Sequence, residues 1–151
     1  MSTIRLILLY LFVVQAKNRA IVFFDGDCGL CSASVRFLVR LDRQQRLYFA
    51  PLQGVAAQAL LPQADRESLN TVVYHRVASN CSITRHTRSD AVLFAVIDTR
   101  SLLGFAAQVA RLLPCSFRDW LYNCVANNRS KWFHTNSCRL PSRAEHDRIL
   151  P

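Results

Sequence analysis

A chain of 151 residues, 51% apolar and 19% charged, holds enough material for one domain with a real core, and that balance excludes intrinsic disorder. The net charge of +9 comes from 17 Arg and 2 Lys set singly along the chain, without the concentrated basic patches of a nucleic-acid binder, so no nucleic-acid partner is expected. Six cysteines in a chain this rich in core residues are too few for a small secreted disulfide scaffold.

The first segment, "IRLILLYLFVVQA" (4–16), has an apolar centre from Leu6 to Val14 preceded by Arg5, and Val14-Gln15-Ala16 resembles a small-residue cleavage site. It is too short to span a bilayer. Residues 1–19 are read as an apolar extension, with a cytoplasmic location expected. The alternative is export or membrane association through this segment, and a membrane partner is expected only if 4–16 serves as an anchor. Residues 20–141 form the domain and 142–151 a polar tail.

Ile21-Val22-Phe23-Phe24 reads as a buried strand that ends at a glycine turn. From Ser32 to Arg43 the spacing of Val35, Leu38 and Val39 predicts a helix, with Arg36, Arg40 and Arg43 on one solvated face. "LYFAPL" (47–52) is a second strand, "GVAAQALL" (54–61) a short helix stopped by Pro62, and 64–70 a polar connection. "TVVYHR" (71–76) and "CSITRHT" (81–87) pair as a hairpin. A helix capped by Thr87 or Ser89 follows through Val96. Residues 101–113 predict a largely buried helix closed by Pro114. Phe117, Trp120, Leu121, Cys124 and Val125 then recur at the spacing of an amphipathic helix. The order is β-α-β-α-β-β-α with two additional C-terminal helices, an α/β class with antiparallel edge strands, and a CxxC between its first strand and first helix reads as thioredoxin-like.

That junction, "FFDGDCGLCSAS" (23–34), offers three chemistries. Asp25 and Asp27 after an apolar strand resemble the first motif of haloacid-dehalogenase phosphatases, but no later acidic pair follows and the only downstream Lys is Lys131. Structural zinc needs four ligands, and the other Cys and His form no second pair, so no metal is expected. A redox couple needs nothing further. Cys28 and Cys31 at a helix N-terminus lie close enough to bridge, and the unpaired N–H groups there stabilise a thiolate. Gly29-Leu30 leaves the first thiol open to a partner, while Cys31 faces the core.

The chain resembles the thiol-disulfide oxidoreductase DCC family, a thioredoxin-like group named for an Asp-Cys-Cys pattern that stands here as Asp27, Cys28 and Cys31. "IVFFDGDCGLCSASVRFLVRLD" (21–42), "YFAPLQG" (48–54), "RSDAVL" (88–93), "RDWLYNCVANNRSKWF" (118–133) and "CRLP" (138–141) carry the resemblance. It implies a thiol-disulfide oxidoreductase in which Cys28 attacks and Cys31 resolves, without cofactor, on a disulfide or dithiol protein substrate and with a cellular thiol reductant or oxidant to reset the pair. The alternative is a non-enzymatic module whose CxxC is structural or binds metal. By resemblance alone Cys138 is a third redox thiol, the alternative being a packed C-terminal thiol; Cys81, Cys115 and Cys124 are read as packing. The chain departs from thioredoxins proper in lacking a Pro before the third strand, where Leu69 or Asn70 stands.

Supporting roles fall to five further residues. Asp25, directly after the strand, is placed to accept N–H groups of the turn or to exchange a proton with Cys31. Asp27, more exposed, acts electrostatically on Cys28. Arg88, Ser89 and Asp90 precede the third helix, where Ser89 caps it, Asp90 favours its dipole, or the loop shapes a partner groove.

Overall fold

The computed structural model describes residues 20–67, 71–77, 83–132 and 147–150. The sequence AIVFF has no polar face, and its strand β1 (Ala20–Phe24) accordingly lies inside the sheet, every residue buried. β2 (Leu47–Pro51) pairs with it in parallel, Val22 opposite Phe49, which requires a crossover, and α1 (Gly29–Leu41) supplies it. On the other side β3 (Val73–Val77) runs antiparallel to β1, with Val22 opposite Tyr74, and β4 (Ile83–Thr87) pairs antiparallel with β3. The sheet order is β2-β1-β3-β4, the thioredoxin-like arrangement.

Alternation along β1 divides the core between two faces. Ile21 and Phe23 meet Leu52, Ala56, Ala57 and Leu61 of the segment carrying α2 (Val55–Leu60), while Val22 and Phe24 meet Val35 and Leu38 of α1 and Ala91 and Ala95 of α4 (Arg88–Asp98). Helices therefore cover both faces. α4 packs on α5 (Leu102–Ala110) so closely that a Cβ on Gly104 would lie 3.0 Å from the Val96 carbonyl oxygen.

Several expectations are corrected. The stretch 64–70 is not wholly connection, because Gln63–Glu67 forms the short helix α3. α1 stops at Leu41, where Asp42 takes the C-cap, so Arg43 lies beyond the helix and off the face of Arg36 and Arg40. The 101–113 helix is not largely buried. Only Gly104 and Ala107 of α5 are buried, and Leu102, Phe105 and Leu112 are open to solvent, because a helix apolar on nearly all sides has more apolar surface than one neighbour can cover. The amphipathic stripe on α6 (Cys115–Trp132) is exposed too, at Phe117, Trp120, Leu121 and Val125. Of the polar tail, Arg148–Leu150 are seated on β2. Phe49 N–H donates to the Arg148 carbonyl (2.9 Å), Leu150 N–H donates to the Phe49 carbonyl (2.8 Å), and the Arg148 guanidinium reaches the fully buried Asp42 carboxylate (3.1 Å). Leu69, Asn70, Cys81 and Cys138 lie outside the described residues.

Candidate functional site

The end of β1 and the start of α1 make the site. A helix begins with unpaired N–H groups, and here the residue before its first turn is Cys28. Cys28 has extended backbone (φ −95°, ψ 118°) and acts as the N-cap, its Sγ accepting the Cys31 N–H at 3.5 Å. The Cys28 N–H in turn donates to the Asp25 carbonyl (3.2 Å), which closes the turn after the strand. The two cysteines are unbridged thiols, and the pair lies 3.3 Å apart.

The exposure of Cys28 corrects the sequence expectation. Cys28 is buried rather than open, whereas Cys31, as expected, packs half-buried against the core, where it also lines a cavity. The burial of Cys28 goes with the cap, in which its sulfur lies over the helix end and receives the Cys31 N–H. Burial, the hydrogen bond to Cys28 and the charge on Cys28 push the Cys31 thiol up to about 12, against a smaller opposing pull from the Asp25 backbone and Arg129. Cys31 thus holds its proton firmly.

Asp25 is the polar hub beneath the pair. Its Oδ1 accepts the Asp27 N–H (3.2 Å) and the Gln53 Nε2–H (3.1 Å), and its Oδ2 pairs with the Arg129 guanidinium at 3.3 Å. Gln53 also accepts the Gly26 N–H through Oε1 (3.3 Å), so this one side chain ties the turn to the segment after β2. Asp27 is exposed at the surface of the turn.

The loop before α4 sits on the far wall. Arg88 begins the helix with a positive φ of 55° and donates its N–H to the Val72 carbonyl (3.1 Å). Ser89 does not cap the helix. Thr87 is the N-cap, without a side-chain bond, and the buried Ser89 hydroxyl donates to Asp119 of α6 instead. Asp90 lies in the first turn, where its charge suits the dipole, and pairs with Arg118. Ser89 and Cys31 line the same cavity, whereas Arg88 and Asp90 are not part of its wall.

Sequence reasoning gave no role to Gln53, Arg118, Asp119, Tyr122 or Arg129. Tyr122 accepts the Val72 N–H through its hydroxyl (3.0 Å), just ahead of β3, and burial raises its phenol above the ordinary range. The available signal was their position, since all five lie in the blocks 48–54 and 118–133 that carry the family resemblance.

The cavity itself measures about 510 Å³ and lies between α1, α4 and α6 over the end of β1. Its wall is built from aliphatic and aromatic side chains, among them Phe24, Leu30, Val92 and Val125, with Cys31, Tyr122, Arg118 and Arg129 as the principal polar members. Among the described residues, no group of three or more His, Cys, Asp or Glu side chains is arranged to hold a metal, and no helix is long and apolar enough to cross a membrane.

A family model described as DCC1-like thiol-disulfide oxidoreductase matches residues 22–135. The chain is 33% identical over 147 residues to the uncharacterized protein YuxK of Bacillus subtilis, covering 91% of this chain and 97% of that protein. It is 37% identical over 132 residues to a chloroplastic DCC family protein of Arabidopsis thaliana, covering 83% of this chain and 72% of that protein. No solved structure matches.

Proposed function

The chain belongs to the DCC1-like thiol-disulfide oxidoreductase family, and from that membership and the geometry of its CxxC we propose that it exchanges disulfides through Cys28 as nucleophile and Cys31 as resolving thiol. The observation that carries this reading is the Cys28 sulfur at the mouth of α1, receiving the Cys31 N–H, with the Cys31 thiol beside it. A sulfur at a helix N-terminus is where negative charge is best held, and the thiolate is the attacking species.

The reaction balances without a cofactor. The Cys28 thiolate attacks one sulfur of a substrate disulfide, forming a mixed disulfide and releasing the other substrate sulfur as a thiolate. With Cys28 bonded in the mixed disulfide its charge no longer holds the proton on Cys31, which gives that proton to the leaving thiolate and attacks the Cys28 sulfur. The second substrate thiolate departs and takes a proton from water. The substrate gains two electrons and the protein is left with a Cys28–Cys31 disulfide, which a cellular thiol reductant resets; run in reverse with an oxidant, the same steps oxidise a dithiol protein. Asp25 serves here as the support of the turn, held by three partners.

The test is single-turnover exchange of the reduced full chain with hydroxyethyl disulfide, followed by mass spectrometry. Cys31→Ser should accumulate a mixed disulfide on Cys28, and Cys28→Ser should lose exchange at this pair. Retention of the parental rate by Cys28→Ser refutes the assignment.

A further inference from the structure

The apolar cavity that begins at Cys31 has a wall unlike that of a site for a small hydrophilic thiol. Such a thiol carries carboxylates, and these need unengaged cations or donors. Both arginines in the wall already hold a carboxylate: Arg129 pairs with Asp25 and Arg118 with Asp90. Apart from Cys31, Tyr122 and the small hydroxyl side chains of Ser34, Thr71 and Ser89, the remaining wall is hydrocarbon. The rim is open as well, with Phe37 50%, Leu121 45% and Val125 42% exposed, and the apolar surface continues from there to Trp120 and Phe117 on the same helix. A drug-sized molecule is normally enclosed on most sides by its site, whereas a channel open along one side admits a chain that enters and leaves.

We propose that this cavity is the substrate-recognition groove of the redox pair, and that its occupant is a polypeptide segment whose disulfide-bonded cysteine is flanked by large apolar residues. The inference rests on the thiol-disulfide reading above and adds the substrate class to it. Continuity carries the argument. Cys31 is part of the groove wall and lies against Cys28, so a substrate sulfur delivered to the pair brings its neighbouring residues into the space between Leu30, Phe37, Val92 and Val125. Side chains buried there leave water without requiring any new charge partner, and the substrate is held by its flanks while its sulfur meets Cys28. A protein with such segments exposed is incompletely folded or locally open, because folded proteins bury them.

The experiment uses the reduced full chain and three disulfides in single turnover, each rate divided by that of the same disulfide with dithiothreitol to remove its intrinsic reactivity. The probes are the homodisulfide of a tripeptide with Leu and Phe beside its Cys, that of a tripeptide with Ser and Asn there, and glutathione disulfide. The apolar peptide should react at least about tenfold faster than either of the others, the discrimination that one well-buried apolar side chain supplies. In Leu121→Gln and Val125→Gln, both on the exposed rim, the ratio of apolar to polar rates should fall by about threefold or more while circular dichroism stays native. Equal normalised rates for the three disulfides overturn the groove and leave the redox reading standing. An unchanged ratio in both rim variants also overturns the groove. Absence of exchange with every disulfide, hydroxyethyl disulfide included, overturns both readings.

Discussion

The proton on Cys31 gives the sharpest quantitative prediction. Its thiol is pushed from 9.0 to about 12 by burial, by the hydrogen bond to Cys28 and by the charge on Cys28. At pH 8 a shift of that size lowers the thiolate fraction about 1000-fold. Intrinsic nucleophilicity recovers part of this, because a more basic thiolate attacks faster by about 20-fold over the same span. The net expectation is that iodoacetamide alkylates Cys31 in the reduced protein about 50-fold more slowly than a free model thiol at pH 8, before any steric contribution. The rate should climb about tenfold per pH unit from 7 to 10 without a plateau. Pulse labelling, acid quench and peptide mapping read each cysteine separately, with Cys28 expected to be labelled before Cys31. In Cys28→Ser two of the three causes are altered, and labelling of Cys31 should accelerate. A Cys31 rate within threefold of a free model thiol at pH 8, a plateau below pH 10, or labelling of Cys31 ahead of Cys28 refutes the reasoning.

Three further outcomes follow from the packing. Because folding raises the Cys31 value, the reduced folded chain binds more protons than the unfolded chain above about pH 9, so the stability that Cys31 contributes is whole below that pH and fades toward pH 12; the difference in urea midpoint between the parent and Cys31→Ser should shrink from pH 8 to 10, and a constant difference argues against it. Asp42→Ala strips both the Leu47 N–H (2.9 Å) and the Arg148 guanidinium of their buried acceptor and should cost about 3–5 kcal/mol in chemical denaturation, whereas Asp42→Asn, which keeps an oxygen for the same two donors, should cost about half as much; equal losses would contradict this geometry. Asp25→Asn removes the charge facing Arg129 while sparing the Oδ1 contacts, so it should lower stability by about 1–2 kcal/mol with exchange kept within severalfold; intact stability with slowed exchange would instead make Asp25 a proton-transfer group.

The junction of β1 and α1 was legible because its signals are local. AIVFF is apolar on both faces, and the two cysteines are three residues apart at a helix start. Periodicity likewise located β2, the β3–β4 pairing and α4 to within a few residues. Burial was not legible where the pattern had no polar side to orient it. LLGFAAQVA is apolar all round, so the sequence identifies a helix and leaves open which face meets α4; the answer turns on Gly104 and Ala107, the two residues small enough for close approach. The hub around Asp25 was hidden for a different reason. Its partners Gln53 and Arg129 lie 28 and 104 positions away, and only the folded chain brings them to the turn. Cys28 was expected outside and is found inside, because capping by sulfur depends on the side-chain rotamer, which spacing does not reveal.

The seating of Arg148–Leu150 along β2 has a bearing on self-association. A sheet margin with unused N–H and C=O groups is a template for strands of other molecules. At Phe49 both outward groups are already occupied, the N–H by Arg148 and the carbonyl by Leu150, and the ion pair to Asp42 anchors the strip that occupies them. The opposite margin is β4, where exposed Thr84 and the charged Arg85 make a poor template for strand addition. Loosening the strip, by Arg148→Ala for instance, would leave the Phe49 N–H and carbonyl open to a strand of another molecule.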